Sequence, residues 1–152
     1  MNNRIEAIRE AIRADTDRSV TATVLMQDFN GVDEWSVKTD LRDASWTAIH
    51  VATQRTIVSD GYNERIGEGH SKRPHPAASL IYPDSMFIWG GDQSDWHPTD
   101  AEDGDGFTVL VLRHRLDRSL LASITYDQEL NLFSRFDSPT RLIHLRDAAV
   151  SR

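Results

Sequence analysis

Cysteine is absent from the 152-residue chain. Disulfides, thiolate metal ligands and cysteine nucleophiles are therefore excluded together, and the lack fits a reducing compartment. Lysine is nearly absent too: Lys38 and Lys72 are its only instances among 17 basic residues, an arginine bias that goes with a GC-rich bacterial genome. No apolar run comes near the ~18 residues that a membrane-spanning helix needs. The start, MNNRIEAIREAIRAD, holds neither an apolar h-region nor a small-residue cleavage site. No signal peptide is expected, and the expected location is the cytoplasm, with export the expectation instead if a leader has been removed. A cationic surface is also lacking. Net charge is −7, and six acids crowd into residues 92–106: Asp92, Asp95, Asp100, Glu102, Asp103 and Asp105. Without those six the chain stands at −1, so the acidity is a local tract and not a coat. Nucleic acid is not expected as a partner, because phosphate binding needs clustered cations.

The length suits one domain, 1–152. A chain of this size buries roughly 70% of its unfolded surface, enough for a core without covalent staples. Ile5, Ile8 and Ile12 recur at helical spacing. Asn2 or Asn3 suits the helix start, Glu6 its positive end, and the helix should stop near Asp15. Its apolar stripe is one-sided, so it must lie on another element. From Ser19 the period changes to two: Val20, Ala22, Val24 and Met26 alternate with Thr21, Thr23, Leu25 and Gln27. Asn30-Gly31 reads as a hairpin turn because both residues tolerate positive φ. Return strands are expected over 34–39, 46–51, 53–59 and, after Asp60-Gly61, 62–67. Residues 68–78 hold Gly69, Pro74 and Pro76 and read as a loop. A short apolar run over 80–82 stops at Pro83, and 86–89 reads as a strand, with one helical turn through Met86, Phe87 and Ile88 the other reading. The tract from 92 to 106 is expected to be a solvated, mobile acidic loop. Strands are then expected over 107–113, 120–126, 130–136 and 140–145. The fold class that follows is α+β and mostly antiparallel: a helix on a curved sheet or half-barrel of about eight or nine strands.

No motif dictates a reaction. His70 and His75, with Asp84, Asp92, Asp95 and His97 further on, offer imidazoles and carboxylates, but their spacing matches neither HxH nor HExxH. DAEDGDG at 100–106 has calcium-loop chemistry without calcium-loop spacing. Ser71 beside His70 lacks a G-x-S-x-G elbow, and Gly67-Glu68-Gly69 lacks the third glycine of a dinucleotide loop. No cofactor and no metal is therefore expected. Trp35, Trp46 and Trp89 read as core residues, or as the lining of an apolar pocket if they share a concave face. Trp96 in a polar stretch reads as packing back on the sheet, with a contact surface the other reading. Arg55, Arg65, Arg113, Arg115, Arg135 and Arg141 recur along the strands. They are expected on a solvated face with acidic cross-strand neighbours; if several converge, they make a basic patch for an anionic headgroup.

The order of elements resembles the LolA-like lipoprotein-carrier superfamily, in which an N-terminal helix leads into a long antiparallel sheet curled around an apolar cavity. The closest local echo is RTIVSDGYNERI, where Ile57, Val58, Asp60, Gly61 and Tyr62 form an apolar strand, an Asp-Gly turn and an aromatic-led return. Leu80, Tyr82 and Pro83, and the closing strands up to Leu145, stand where that superfamily would place them. The resemblance implies a half-barrel carrier; members of that superfamily are exported, often with a lipidated cysteine, and this chain holds no cysteine. The leading expectation is a non-catalytic protein holding a hydrophobic, amphiphilic or acyl ligand between helix and sheet, lined by Trp35, Trp46, Tyr62, Phe87 and Trp89. The second is an immunity or regulatory module whose acidic tract over 92–105 meets a basic protein partner. The third is a metal-dependent enzyme using His70, His75 and His97.

Overall fold

The computed structural model describes residues 3–59, 76–82, 88 and 95–152. Helix α1 (Asn3–Ala14) leads into β1 (Ser19–Asp28), β2 (Gly31–Asp40), β3 (Ser45–His50) and β4 (Thr56–Ser59). A single 3-10 turn, Pro76–Ala78, precedes β5 (Trp96–Asp103), β6 (Phe107–His114), β7 (Leu121–Asp127), β8 (Leu132–Asp137) and β9 (Leu142–Ser151). The nine strands form one sheet in the order β4-β3-β2-β1-β9-β8-β7-β6-β5. Every pairing is antiparallel, and β4 and β5 are the two ends of a sheet that does not close. This is the expected α+β half-barrel. Among the described residues no helix is long and apolar enough to cross a membrane.

Curvature has identifiable causes. The register slips at three places, between Thr21 and Thr23 against β9, between Pro98 and Asp100 against β6, and between Thr125 and Tyr126 against β8. Each slip inserts one extra residue into one strand, which bends it and strengthens the twist. In β9 the irregularity contains Asp147, at φ 52°, a left-handed conformation that Asp accepts more readily than most residues.

Alternation then sorts the side chains. Val20, Ala22, Val24, Trp35, Val37, Trp46, Ala48 and Ile57 are buried on the concave face of one half of the sheet, and Leu110, Leu112, Ala122, Ile124, Phe136 and Ile143 on the other. The cross-strand register places Ala22 beside Val37, Val37 beside Ala48 and Ala48 beside Ile57 in one continuous row. Ile5, Ile8 and Ile12 of α1 are buried against this core, each contributing roughly 1.5–3 kcal/mol on full burial.

Several strand boundaries differ from the sequence reading. The first hairpin turn is Phe29–Asn30, not Asn30–Gly31, because Asp28 pairs with Gly31. Only Gly31 takes a positive φ there, and the Asp28 carboxylate accepts the Asn30 N–H to hold the turn. The larger correction is the acidic tract. Residues 96–103 are not a mobile loop but strand β5, paired with β6 from Trp96 to Asp103. Backbone pairing outweighs the low strand propensity of Asp and Pro, because β6 is buried and offers an edge to be covered. Of two other expected strands, 62–67 lies outside the described residues, and of 86–89 only Ile88 is described, buried and in a turn.

The helix is anchored at both ends. Near its start, Arg4 meets Asp103 at 2.5 Å and the Thr108 hydroxyl at 3.4 Å. At its end, Asn131 donates to the Ala11 carbonyl and to Asp15, and Arg152 makes a two-pronged pair with Asp15 at 2.6 and 2.9 Å. Hydrogen bonding from Arg152, ahead of the opposing burial, then Asn131 and the charges of Arg18 and Arg152, holds the Asp15 carboxyl at about 2. A depressed carboxyl pKa adds stability above the ordinary value near 4, and that stability drains away as pH falls towards 2. Asp15→Ala is expected to lose about 1 kcal/mol at neutral pH, a figure kept small because solvent screens the exposed Arg152. The deficit should fade as the pH approaches 2. Urea unfolding across pH measures it, and a gap that stays constant between pH 7 and pH 2 contradicts the assignment.

Candidate functional site

The concave face is where a half-barrel holds something, so its present cover matters first. Over β5 to β8 the cover is α1, which runs from Asp103 and Thr108 at one side to Asn131 in the β7–β8 turn at the other. Over β1 to β3 the cover is the segment 76–82, whose 3-10 turn packs on those strands. Ala77, Ala78, Leu80 and Ile81 are buried in it. Tyr82 pins its end: the phenol donates to the Ser45 carbonyl at 2.9 Å and reaches the Asp40 carbonyl at 3.4 Å. Burial, with the charges of Asp43 and Asp40 behind it, pushes the Tyr82 hydroxyl well above its ordinary value, so it stays a donor.

Trp35 and Trp46 both lie on this covered face, 7% and 3% exposed. Trp35 stands edge-on to His50, its direct cross-strand neighbour, at 4.9 Å between ring centres. The His50 ring is in turn held by Thr53 and Asp33. Tyr62, Phe87 and Trp89, the other expected lining residues, lie outside the described residues, as do His70, Ser71, His75, Asp84 and Asp92. Trp96 is half-buried in β5, edge-on to His114 at 5.0 Å and near Phe136 at 6.4 Å. It packs back on the sheet. Among the described residues no three His, Asp or Glu side chains group as metal ligands.

The acids of the tract divide into two kinds. Asp103 is structural: it accepts from Thr108 at 2.6 Å and from Arg4, and these bonds, in that order, lower its pKa. Asp100 and Glu102 point to the convex face, opposite Val111 and Val109, and are exposed. The Asp100 carboxylate accepts the N–H of Ala101. With the imide of Pro98 and the slip beside it, that bond blunts the outer edge of β5 against pairing with another strand. Asp105 is exposed on the β5–β6 turn and Glu129 on the β7–β8 turn at the same end of the sheet, and the two turns are tied by a bond from the Gln128 N–H to the Gly106 carbonyl. Asp100, Glu102, Asp105 and Glu129 therefore form a carboxylate rim around one corner of the sheet.

No family model matches the chain, and no curated protein matches it. Among solved structures, MucB in complex with MucA(peri) matches with TM-score 0.56 over 97% of this chain at 10% identity. The MucA/MucB complex of Pseudomonas aeruginosa matches with TM-score 0.57, again over 97% of the chain at 10% identity. The fold is the LolA-like half-barrel. In both comparisons this chain spans 56% of the matched chain, and at that identity the likeness speaks for architecture alone. What the half-barrel adds to the sequence reading is a buried cation. Arg18 is fully buried and donates to the carbonyls of Asp15, Leu130 and Asn131 at 3.0, 2.6 and 2.8 Å. Nothing local in DTDRSV separates this arginine from its surface counterparts, because two of its three carbonyl acceptors, Leu130 and Asn131, lie more than a hundred residues away. Of the arginines that sequence did single out, Arg55, Arg113, Arg115, Arg135 and Arg141 are all exposed. Arg135 pairs with Asp137, and Arg65 lies outside the described residues.

Proposed function

We propose that the half-barrel is a non-catalytic interaction module that docks a basic polypeptide on the carboxylate rim of Asp100, Glu102, Asp105 and Glu129. The observation that carries this reading is the conversion of the acidic tract into an edge strand. A mobile loop spreads its charge over many conformations, whereas β5 holds Asp100 and Glu102 on one face of a fixed strand, which focuses the field that steers a cationic partner. The partner lies across the rim by side-chain contact, since the blunted edge disfavours strand addition. Titration of the protein with an extended lysine- and arginine-rich peptide tests this. Asp100→Asn, Glu102→Gln and Asp105→Asn together are expected to weaken binding about tenfold at physiological salt, from a few tenths of a kcal/mol per exposed pair, and the loss should shrink at high salt. Equal affinity of the parent and the triple variant would sink the proposal.

A second reading keeps the concave face as a site for a hydrophobic or acyl guest, lined by Trp35 and Trp46 and completed by Tyr62, Phe87 and Trp89. The separateness of the two covers favours it: α1 and the 76–82 segment sit on different halves of the sheet, so one can lift while the other stays. The guest has to displace a cover, because the face beneath is occupied by the protein's own side chains. Native mass spectrometry after incubation with a fatty acyl probe is expected to show a complex at the summed mass. A bare polypeptide mass under those conditions removes this reading and leaves the rim untouched.

A further inference from the structure

Four turns lie at the sheet end away from the carboxylate rim: β1–β2, β3–β4, β6–β7 and β8–β9. The pairings place them together, because Gln27 faces Leu142, Asp137 faces both Leu142 and Ser123, and Arg113 faces Leu121. These turns and the strand ends beside them carry most of the exposed large apolar side chains. Phe29 is 87% and Leu116 79% exposed, and Val32, Val51, Leu120 and Leu121 also face solvent. The β6–β7 turn is the sharpest case. Within RHRLDRSLL, three arginines and three exposed leucines surround one acid, Asp117, whose carboxylate is taken by the N–H and hydroxyl of Ser119.

The turn is built, not slack. His114 Nδ1 accepts the N–H groups of Leu116 and Asp117 at 3.2 and 3.3 Å. The Arg115 N–H donates to the Asp95 carbonyl, and the Arg113 guanidinium to the Arg118 carbonyl. Leu116 is therefore presented outward at a fixed tip. Arg115, Arg118 and, on the neighbouring β8–β9 turn, Arg141 are exposed and form no ion pair among the described residues. The β1–β2 tip with Phe29 stands four strand intervals from the β6–β7 tip, roughly 19 Å along the sheet at about 4.8 Å per interval. Its acids are engaged: Asp28 by the Asn30 N–H and Asp33 by His50. Asp95, exposed beside Arg115, is the acid at this end without such a partner among the described residues.

We propose that this end of the half-barrel docks on an anionic lipid bilayer, with Leu116 and Phe29 as apolar tips and Arg115, Arg118 and Arg141 against the headgroups. The chemistry favours a bilayer over a protein. The tips are convex and isolated, so a protein partner would need matching pockets for each, whereas the interfacial region of a bilayer deforms around them. A protein of charge −7 approaches an anionic surface only by its least acidic end. The carboxylate rim lies at the opposite end of the strands, so repulsion turns the tips towards the membrane.

Co-sedimentation of the full chain with sucrose-loaded vesicles decides it. Binding is expected to vesicles of phosphatidylcholine with phosphatidylglycerol, to weaken with salt, and to be slight with phosphatidylcholine alone. Leu116→Ser is expected to lower the partition coefficient about tenfold, and Arg115→Gln or Arg118→Gln about fivefold each. All three positions are exposed, and an unchanged unfolding midpoint confirms that the fold is intact. Phe29→Ser supplies an independent variant on the other hairpin. No binding to the anionic vesicles overturns the proposal, as does binding indifferent to all four variants. Salt-sensitive binding of a polyglutamate chain in place of vesicles, lost in the same variants, would also overturn it and assign the tip to an acidic protein.

Discussion

Arg18→Ala is expected to destabilise the fold by about 3–5 kcal/mol, among the largest effects of any single substitution here. The guanidinium is fully buried and donates to three backbone carbonyls, and it stands 3.3 Å from the Asp15 carboxylate. Removing it leaves those carbonyls without their donor at a cost of about 1–3 kcal/mol each before relaxation, and it opens a void as well. Burial lowers the Arg18 pKa and the Asp15 charge raises it again, while guanidinium basicity is so high that the group stays charged. Arg18→Met separates the contributions, because it restores much of the volume and none of the hydrogen bonds. The alanine variant should melt roughly 10 °C lower, at about 2–4 °C per kcal/mol for a chain of this length, and methionine should recover only part of that. A methionine variant as stable as the parent would mean that the junction of α1, β1 and the β7–β8 turn does not depend on this cation.

Trp46→Ala is expected to cost about 3–5 kcal/mol, the range for truncating a fully packed large aromatic. Trp46 is 3% exposed and lies between Thr39 and Ser59 on neighbouring strands. The measurement bears on function as well as on folding. If the indole is permanent core, stability falls and no acyl probe changes it. If the indole lines a site whose cover lifts, the parent should gain stability on adding an acyl probe, by RT ln(1 + [L]/Kd), and the variant should lose that gain. Thermal unfolding of both proteins with and without the probe distinguishes the two cases.

Much of the architecture was legible in local pattern. Ile5, Ile8 and Ile12 announced a one-sided helix, and the alternation from Val20 to Met26 announced a half-buried strand, because helix and strand periods are imposed by backbone geometry alone. Trp35 and Trp46 read as core residues and are buried, for the same reason. Strand β5 was missed. Its sequence, WHPTDAED, is strand-poor, and only the exposed edge of β6 gives it a reason to extend. The Asn30-Gly31 signal located a hairpin but misplaced its turn by one residue, because the pairing of Asp28 with Gly31 is decided by the whole ladder from Ser19 to Asp28 and not by the dipeptide.

By itself, the sequence determined the helix, the eight strands whose apolar residues alternate, the absence of thiol chemistry and the concentration of acid in one tract. Those follow from residue type and short-range period. Only the tertiary structure decided that the acid tract is an edge strand, that Arg18 is interior while Arg115 and Arg118 are not, and that Phe29 and Leu116 share one end of the sheet. Each of these depends on which distant segments meet. The β1–β9 pairing brings the two ends of the chain side by side, a contact paid for in loop-closure entropy and specified by no local motif.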